Sequence, residues 1–138
     1  MEDTAMTKQN NVAALARRLF ELLDSHDFAA VENHVSPKCV ATVSSQTMDR
    51  AGWLAQGKTF YDGFPDGHFH FDHEVVTDDT AVFMGNWSGT HKAPFMGIPA
   101  TGRRVSIPFI VATQIEDGKV VRHWGQLDTA SLVQQITT

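Results

Sequence analysis

The chain has 138 residues, of which 42% are hydrophobic and 20% charged, as fits one globular domain with a sizeable core and excludes a disordered chain. A formal charge of -5 and a pI near 5.7 exclude a general nucleic-acid binder, which carries a basic face. No apolar run reaches the ~18 residues of a membrane span, and the opening MEDTAMTK lacks a signal peptide's apolar stretch, so a cytoplasmic protein without a membrane partner is expected.

Helices come first along the chain. Residues 1–8 read as a flexible lead-in and residues 9–138 as the single domain. From Thr7 to Asp24 the apolar residues Val12, Leu15, Ala16, Leu19, Leu22 and Leu23 recur at helical spacing, which predicts an amphipathic helix lying on something apolar. Asp27 has the chemistry of an N-cap for a short second helix, stopped at Ser36-Pro37. Lys38 to Ser44 reads as a short strand, with the single cysteine, Cys39, as a small buried residue that can form no internal disulfide. A third helix is expected from Asp49 to Gly63, with Trp53, Leu54, Phe60 and Tyr61 on one side. Beyond it the chain is nearly all strand, from His68 to Thr77 and from Thr80 to His91 around a turn at Asp78-Asp79. A last helix follows Asp128.

The longest apolar alternation runs from Thr101 to Asp128 around Asp117-Gly118, a strong signal for a type I′ turn because both positions tolerate positive φ. A regular two-residue turn sets Thr113 opposite Arg122, Val111 opposite Trp124, Phe109 opposite Gln126 and Ile107 opposite Asp128. Alternation then puts Ile107, Phe109, Val111, Trp124, Gln126 and Asp128 on one face. That face is either the floor of a small-molecule pocket or a packed core with a polar end.

Helices followed by antiparallel strands make an α+β fold, helices covering one face of a curved sheet. Three stretches, Phe64-Pro65-Asp66, Gly89 to Pro108 and Glu116 to Ile136, together resemble the SnoaL-like polyketide cyclases, or ester cyclases, of the NTF2-like superfamily. The resemblance implies an NTF2-like cone: N-terminal helices packed on a curved antiparallel sheet that encloses a cavity. It also implies a homodimer paired through the outer sheet face, where Ile110 opposite Gly125 and Pro108 opposite Leu127 are the apolar residues left over. The activity it implies is a cofactor-free cyclisation, in which a cavity acid takes a proton from carbon and polar groups stabilise the enolate. In those cyclases the acid directly follows the position of Trp124, where this chain has Gly125, and a histidine of the preceding strand falls on Val111.

The candidate site residues follow. Asp128 is the remaining acid on the expected cavity face, and Asp-Thr-Ala-Ser before an apolar helix is also what an N-cap looks like. His91, at a strand end, can act as acid or base near neutrality or can fix the following loop by hydrogen bonding. Trp124 and Gln126 can stack on and hydrogen-bond a flat substrate. Trp53, Phe60, Tyr61 and Phe109 complete a lining for a small hydrophobic or aromatic ligand, and equally serve as plain core. No phosphate-binding loop, dinucleotide fingerprint or nucleophile elbow occurs, so no cofactor is expected. Two other readings stand beside the enzyme: a non-catalytic binding protein on the same cone, and a metal-dependent enzyme using His68, His70 and Glu74 of HFHFDHE.

Overall fold

The computed structural model describes residues 4–138, with side chains from Thr7 onward. The elements are α1 (Thr4–Asp24), α2 (Phe28–His34), β1 (Val35–Val43), β2 (Gln46–Asp49), α3 (Arg50–Gly63), β3 (His68–Val76), β4 (Thr80–Thr90), β5 (Arg104–Glu116), β6 (Lys119–Leu127) and α4 (Thr129–Thr137). α1 starts ahead of the expected Thr7, taking in part of the stretch read as a lead-in; residues 1–3 lie outside the described residues.

Local chemistry sets the helix starts. Asp27 accepts from the Ala30 amide at 3.2 Å, Asp49 from Gly52 at 2.8 Å and Asp128 from Ser131 at 3.0 Å, each satisfying an amide that the first turn leaves unpaired. No helix of the described residues is long and apolar enough to cross a membrane.

Six strands form one curved, unclosed sheet in the order β2-β1-β6-β5-β4-β3. The expected all-antiparallel sheet needs one correction, since β1 pairs with β6 in parallel. The chain leaves β1 through β2 and α3 and meanders through β3, β4 and β5, which is ample length to bring β6 back in the same direction. β2 was not foreseen, being four residues long with three of them exposed. β1 starts at Val35, ahead of the expected Lys38, and takes in Ser36-Pro37, which was expected to stop α2; Pro37 falls where the register to β6 shifts between Val35 and Val40, a position that asks for no amide donor.

The inner face of β5 carries Val105, Ile107, Phe109, Val111, Thr113 and Ile115, all buried. The helices cover it. Phe20 of α1 meets Phe69, Phe71 and Phe83 edge-on, with ring centres 5.0, 5.6 and 5.8 Å away. Fully burying a side chain, as for Phe20 and Phe83, stabilises the fold by about 1.5–3 kcal/mol, so these contacts hold α1 on the sheet.

Two β-bulges reset the faces. In β6 the pairing runs Glu116 with Lys119 and Ile115 with Val120, then Gln114 with Arg122, which leaves Val121 as an extra residue. Val111 therefore faces Gly125, Ala112 faces Trp124, Ile110 faces Gln126 and Phe109 faces Leu127. The regular register expected from the turn is wrong by one residue beyond the bulge, and a slip of one turns every side chain to the other face. In β3 the pairing passes from Phe71 with Gly85 to His73 with Met84, leaving Asp72 as the extra residue. A Cβ on Gly85 would lie 1.7 Å from the His70 carbonyl oxygen, so this bulge needs glycine opposite it.

Candidate functional site

A cavity, open at one end, lies between the three N-terminal helices and the inner face of the sheet. α3 supplies Trp53, Phe60 and Tyr61, α1 supplies Phe20 and Leu23, and β6 supplies His123 and Leu127. Tyr61 and His123 are the two residues of this lining that can titrate; no Asp, Glu, Lys or Arg contributes to it.

His123 is the candidate residue that the sequence reading missed. The Val121 bulge turns it inward, where it is 3% exposed, and burial, then the nearby Arg122 charge, holds its pKa down at about 3. The ring is therefore neutral at pH 7. It stacks on Trp53 at 4.3 Å between ring centres and 25° between planes. Its Nδ1 lies 3.2 Å from the Thr113 hydroxyl, which has no other partner among the described residues. Either tautomer leaves one donor without a protein partner, the ring Nε2–H or the Thr113 hydroxyl; Thr113 is fully buried whereas His123 lines the cavity, where a ligand oxygen can reach the ring, so the hydroxyl is assigned as donor to Nδ1 and the ring proton to Nε2. No described residue bonds Nε2, and a Cβ on Gly125 would come within 3.1 Å of it. Glycine at 125 leaves that N–H uncovered. The arrangement offers one neutral donor in an apolar chamber, suited to the oxygen of a bound carbonyl.

Tyr61 has its ring in the lining and its hydroxyl committed elsewhere. That hydroxyl donates to Asp24 Oδ1 at 2.6 Å, while Asp24 Oδ2 accepts from the Phe69 amide at 3.2 Å and meets His68 Nδ1 at 2.7 Å. Burial and the Asp24 charge hold the Tyr61 proton on, and burial raises the Asp24 carboxyl above its usual value. The network ties the end of α1 to α3 and to the start of β3.

The other expected site residues are dispersed. Trp53, Phe60 and Tyr61 meet in the cavity. Trp124 and Gln126 do not reach it: the bulge places both outside, with Trp124 41% exposed beneath the Arg122 guanidinium at 4.8 Å. Asp128 is exposed as the cap of α4. Phe109 is buried against Phe69 at 5.0 Å, outside the cavity lining. His91 is fully buried and stacked on Phe64; its Nδ1 accepts from the Thr101 amide at 3.3 Å and its Nε2 has no partner among the described residues. It fixes the loop after β4 instead of meeting the cavity. A pairing of charged Arg122 with inward Thr113 was the warning in the sequence that the regular register could not hold.

The expected metal ligands also separate. His68 binds Asp24, His70 Nε2 lies 3.2 Å from the Ser88 hydroxyl, and Glu74, beyond the β3 bulge, pairs with Arg17. Among the described residues no group of three or more His, Cys, Asp or Glu is placed to hold a metal ion.

Solved structures share this fold over nearly the whole chain. AclR of Streptomyces galilaeus, a proposed hydroxylase, superposes with a TM-score of 0.86 at 23% identity, over 93% of this chain and 96% of that one. IdmH of Streptomyces antibioticus, a proposed polyketide cyclase, gives 0.81 at 25% identity over 92% and 99%. TsrD of Streptomyces laurentii gives 0.79 at 26% over 99% and 98%. No curated protein matches the chain. The family model described as SnoaL-like polyketide cyclase matches residues 13–136, from within α1 to the end of α4, and with the NTF2-like cone this shows that the chain belongs to the SnoaL-like polyketide cyclase family.

Proposed function

We propose that the chain is a cofactor-free enzyme of cyclase or isomerase type that takes a flat, hydrophobic carbonyl compound into the cone and promotes proton transfer at the adjoining carbon. His123 carries this reading in place of Asp128 and His91. Its neutral Nε2–H meets the carbonyl oxygen and strengthens its hold as negative charge gathers there, which is the charge an enolate develops. A neutral imidazole used as an electrophile is an established strategy in other enzymes. With no carboxylate in the lining, the carbon proton leaves to a water at the open end. The similarity to IdmH, a proposed polyketide cyclase, supports the class of substrate.

A second reading has one observation in its favour. The same lack of a carboxylate suits a protein that binds its ligand and returns it unchanged. Incubation of 1-tetralone with the protein in deuterium oxide separates the two. Saturable, protein-dependent exchange of the protons beside the carbonyl, abolished in His123→Gln, supports the enzyme. Binding without exchange leaves the binding protein, and absence of both defeats the cavity reading.

The reading includes a homodimer through the outer sheet face, where Trp124, Ile110 (54% exposed) and Val40 lie uncovered. The pairing once expected for Ile110 is corrected, as it lies opposite Gln126 and not Gly125, and Leu127 lies opposite Phe109 and not Pro108. Trp124→Glu should shift a dimer to monomer in light scattering.

A further inference from the structure

Beside the cavity lies a vestibule that shares Val43, Gln56, Phe60 and Leu127 with it. The wall changes character there. The cavity side is apolar, whereas the vestibule adds Ser44, Ser45, Gln46, Thr59 and Thr129 to Gln56 and contains no charged side chain. Thr59 spends its hydroxyl on the Ala55 carbonyl at 3.0 Å. Among the described residues the side chains of Ser44, Ser45, Gln46, Gln56 and Thr129 bond to no protein group, which leaves hydroxyl and amide groups free around one opening.

The rim is also built at a conformational cost. Ser44, in the turn between β1 and β2, has φ 55°, and Met96, in a tight turn closed by bonds of 3.0 and 2.9 Å between Phe95 and Ile98, has φ 50°. An L side chain occupies this left-handed region against steric resistance, and such positions concentrate at ligand-binding sites. Two of the four non-glycine residues with positive φ among the described residues therefore stand on this one opening. Met96 is 64% exposed there, a flexible apolar side chain able to lie along a ligand that passes the mouth.

We propose that the vestibule is a second subsite, which grips the neutral, hydroxyl-bearing end of a bipartite ligand whose flat carbonyl end fills the cavity. The proposal rests on the carbonyl reading of the cavity given above. It adds the substrate's other half: an uncharged, hydrogen-bonding tail, since an ionic tail would find no counter-charge in the lining.

The test compares 1-tetralone with the glucoside of 6-hydroxy-1-tetralone, titrated by NMR against the wild type and against Ser45→Ala with Gln46→Leu, two vestibule residues outside the cavity lining. Thermal melting and circular dichroism confirm that the variant folds. The glucoside should bind the wild type about tenfold more tightly than the parent ketone, as one or two net hydrogen bonds supply. The variant should lose that gain while binding the parent ketone within about twofold of wild type, because an exposed serine and one amide contribute little to holding an apolar ring. Equal affinity for the two compounds in the wild type overturns the vestibule and leaves the cavity reading intact, as does a gain that survives in the variant. If neither compound binds the wild type, cavity and vestibule fall together.

Discussion

Thr113 Oγ1 and His123 Nδ1 lie 3.2 Å apart across two adjacent strands, both buried, and this one bond decides which nitrogen of the imidazole carries the proton. Thr113→Val removes the bond without changing the shape of the side chain. It should lower stability by about 1–3 kcal/mol, the cost of stranding a buried ring nitrogen. It should also let the tautomers mix, seen in the ¹⁵N shifts of the ring, whereas Thr113→Ser keeps the proton on Nε2. A wild-type spectrum with the proton on Nδ1 would remove His123 as a donor to the cavity.

His123 makes stability depend on pH in a definite direction. Its folded pKa of about 3 lies below the ordinary histidine value of about 6.5. Between these two values the unfolded chain binds the proton and the folded chain does not, so stability falls as pH drops from about 6.5 toward about 3, by up to about 1.4 kcal/mol per pH unit. Above that window the group has no effect. Asp24, whose carboxyl is raised, works in the opposite sense just above the usual carboxylate range. The difference in urea midpoint between wild type and His123→Gln, taken from pH 7.5 to pH 4.5, isolates the histidine; a difference that stays flat with pH would show that the ring is not buried neutral.

Gly85→Ala should destabilise the protein by about 1–3 kcal/mol or more, as overpacking does when backbone has to move. The added methyl would meet the His70 carbonyl at 1.7 Å, and no side chain can swing aside to relieve a backbone contact. Thermal melting checks this, with Gly97→Ala as a poor control because its φ of 77° is itself unfavourable for alanine.

Asp128→Ala should cost about 1 kcal/mol through the lost cap on α4, and Asp128→Ser should restore most of it. Proton exchange of a bound ketone should be unchanged in Asp128→Asn. Loss of exchange with retained binding in that variant would return Asp128 to the chemistry.

The local features of the fold were legible because single residues determine them. Asp27 and Asp128 read as caps and are caps, and Asp49, read as the start of the third helix, caps it; Asp117 and Gly118 read as a turn and have φ of 51° and 74°. The site was harder to read, because it depends on which face each residue of β6 takes, and one unpaired residue, Val121, sets that for everything after it. The consecutive Val120 and Val121 interrupt the alternation, and only the combined cost of Arg122, Gln126 and Asp128 all facing inward argues for a bulge between turn and strand end. Trp53, Phe60 and Tyr61 were found because helical spacing carries no such slip.

The place of β6 in the sheet also bears on how the protein is made. β6 is the penultimate element yet lies between β1 and β5, so a chain emerging from the ribosome holds both of those strands with an open edge until residue 119 and beyond have cleared the exit tunnel. Unpaired edges of apolar strands invite pairing with other chains. Translation that pauses before β6 therefore leaves the nascent protein at its most aggregation-prone, and truncations that stop short of Leu127 should accumulate as inclusion bodies instead of as a smaller folded core.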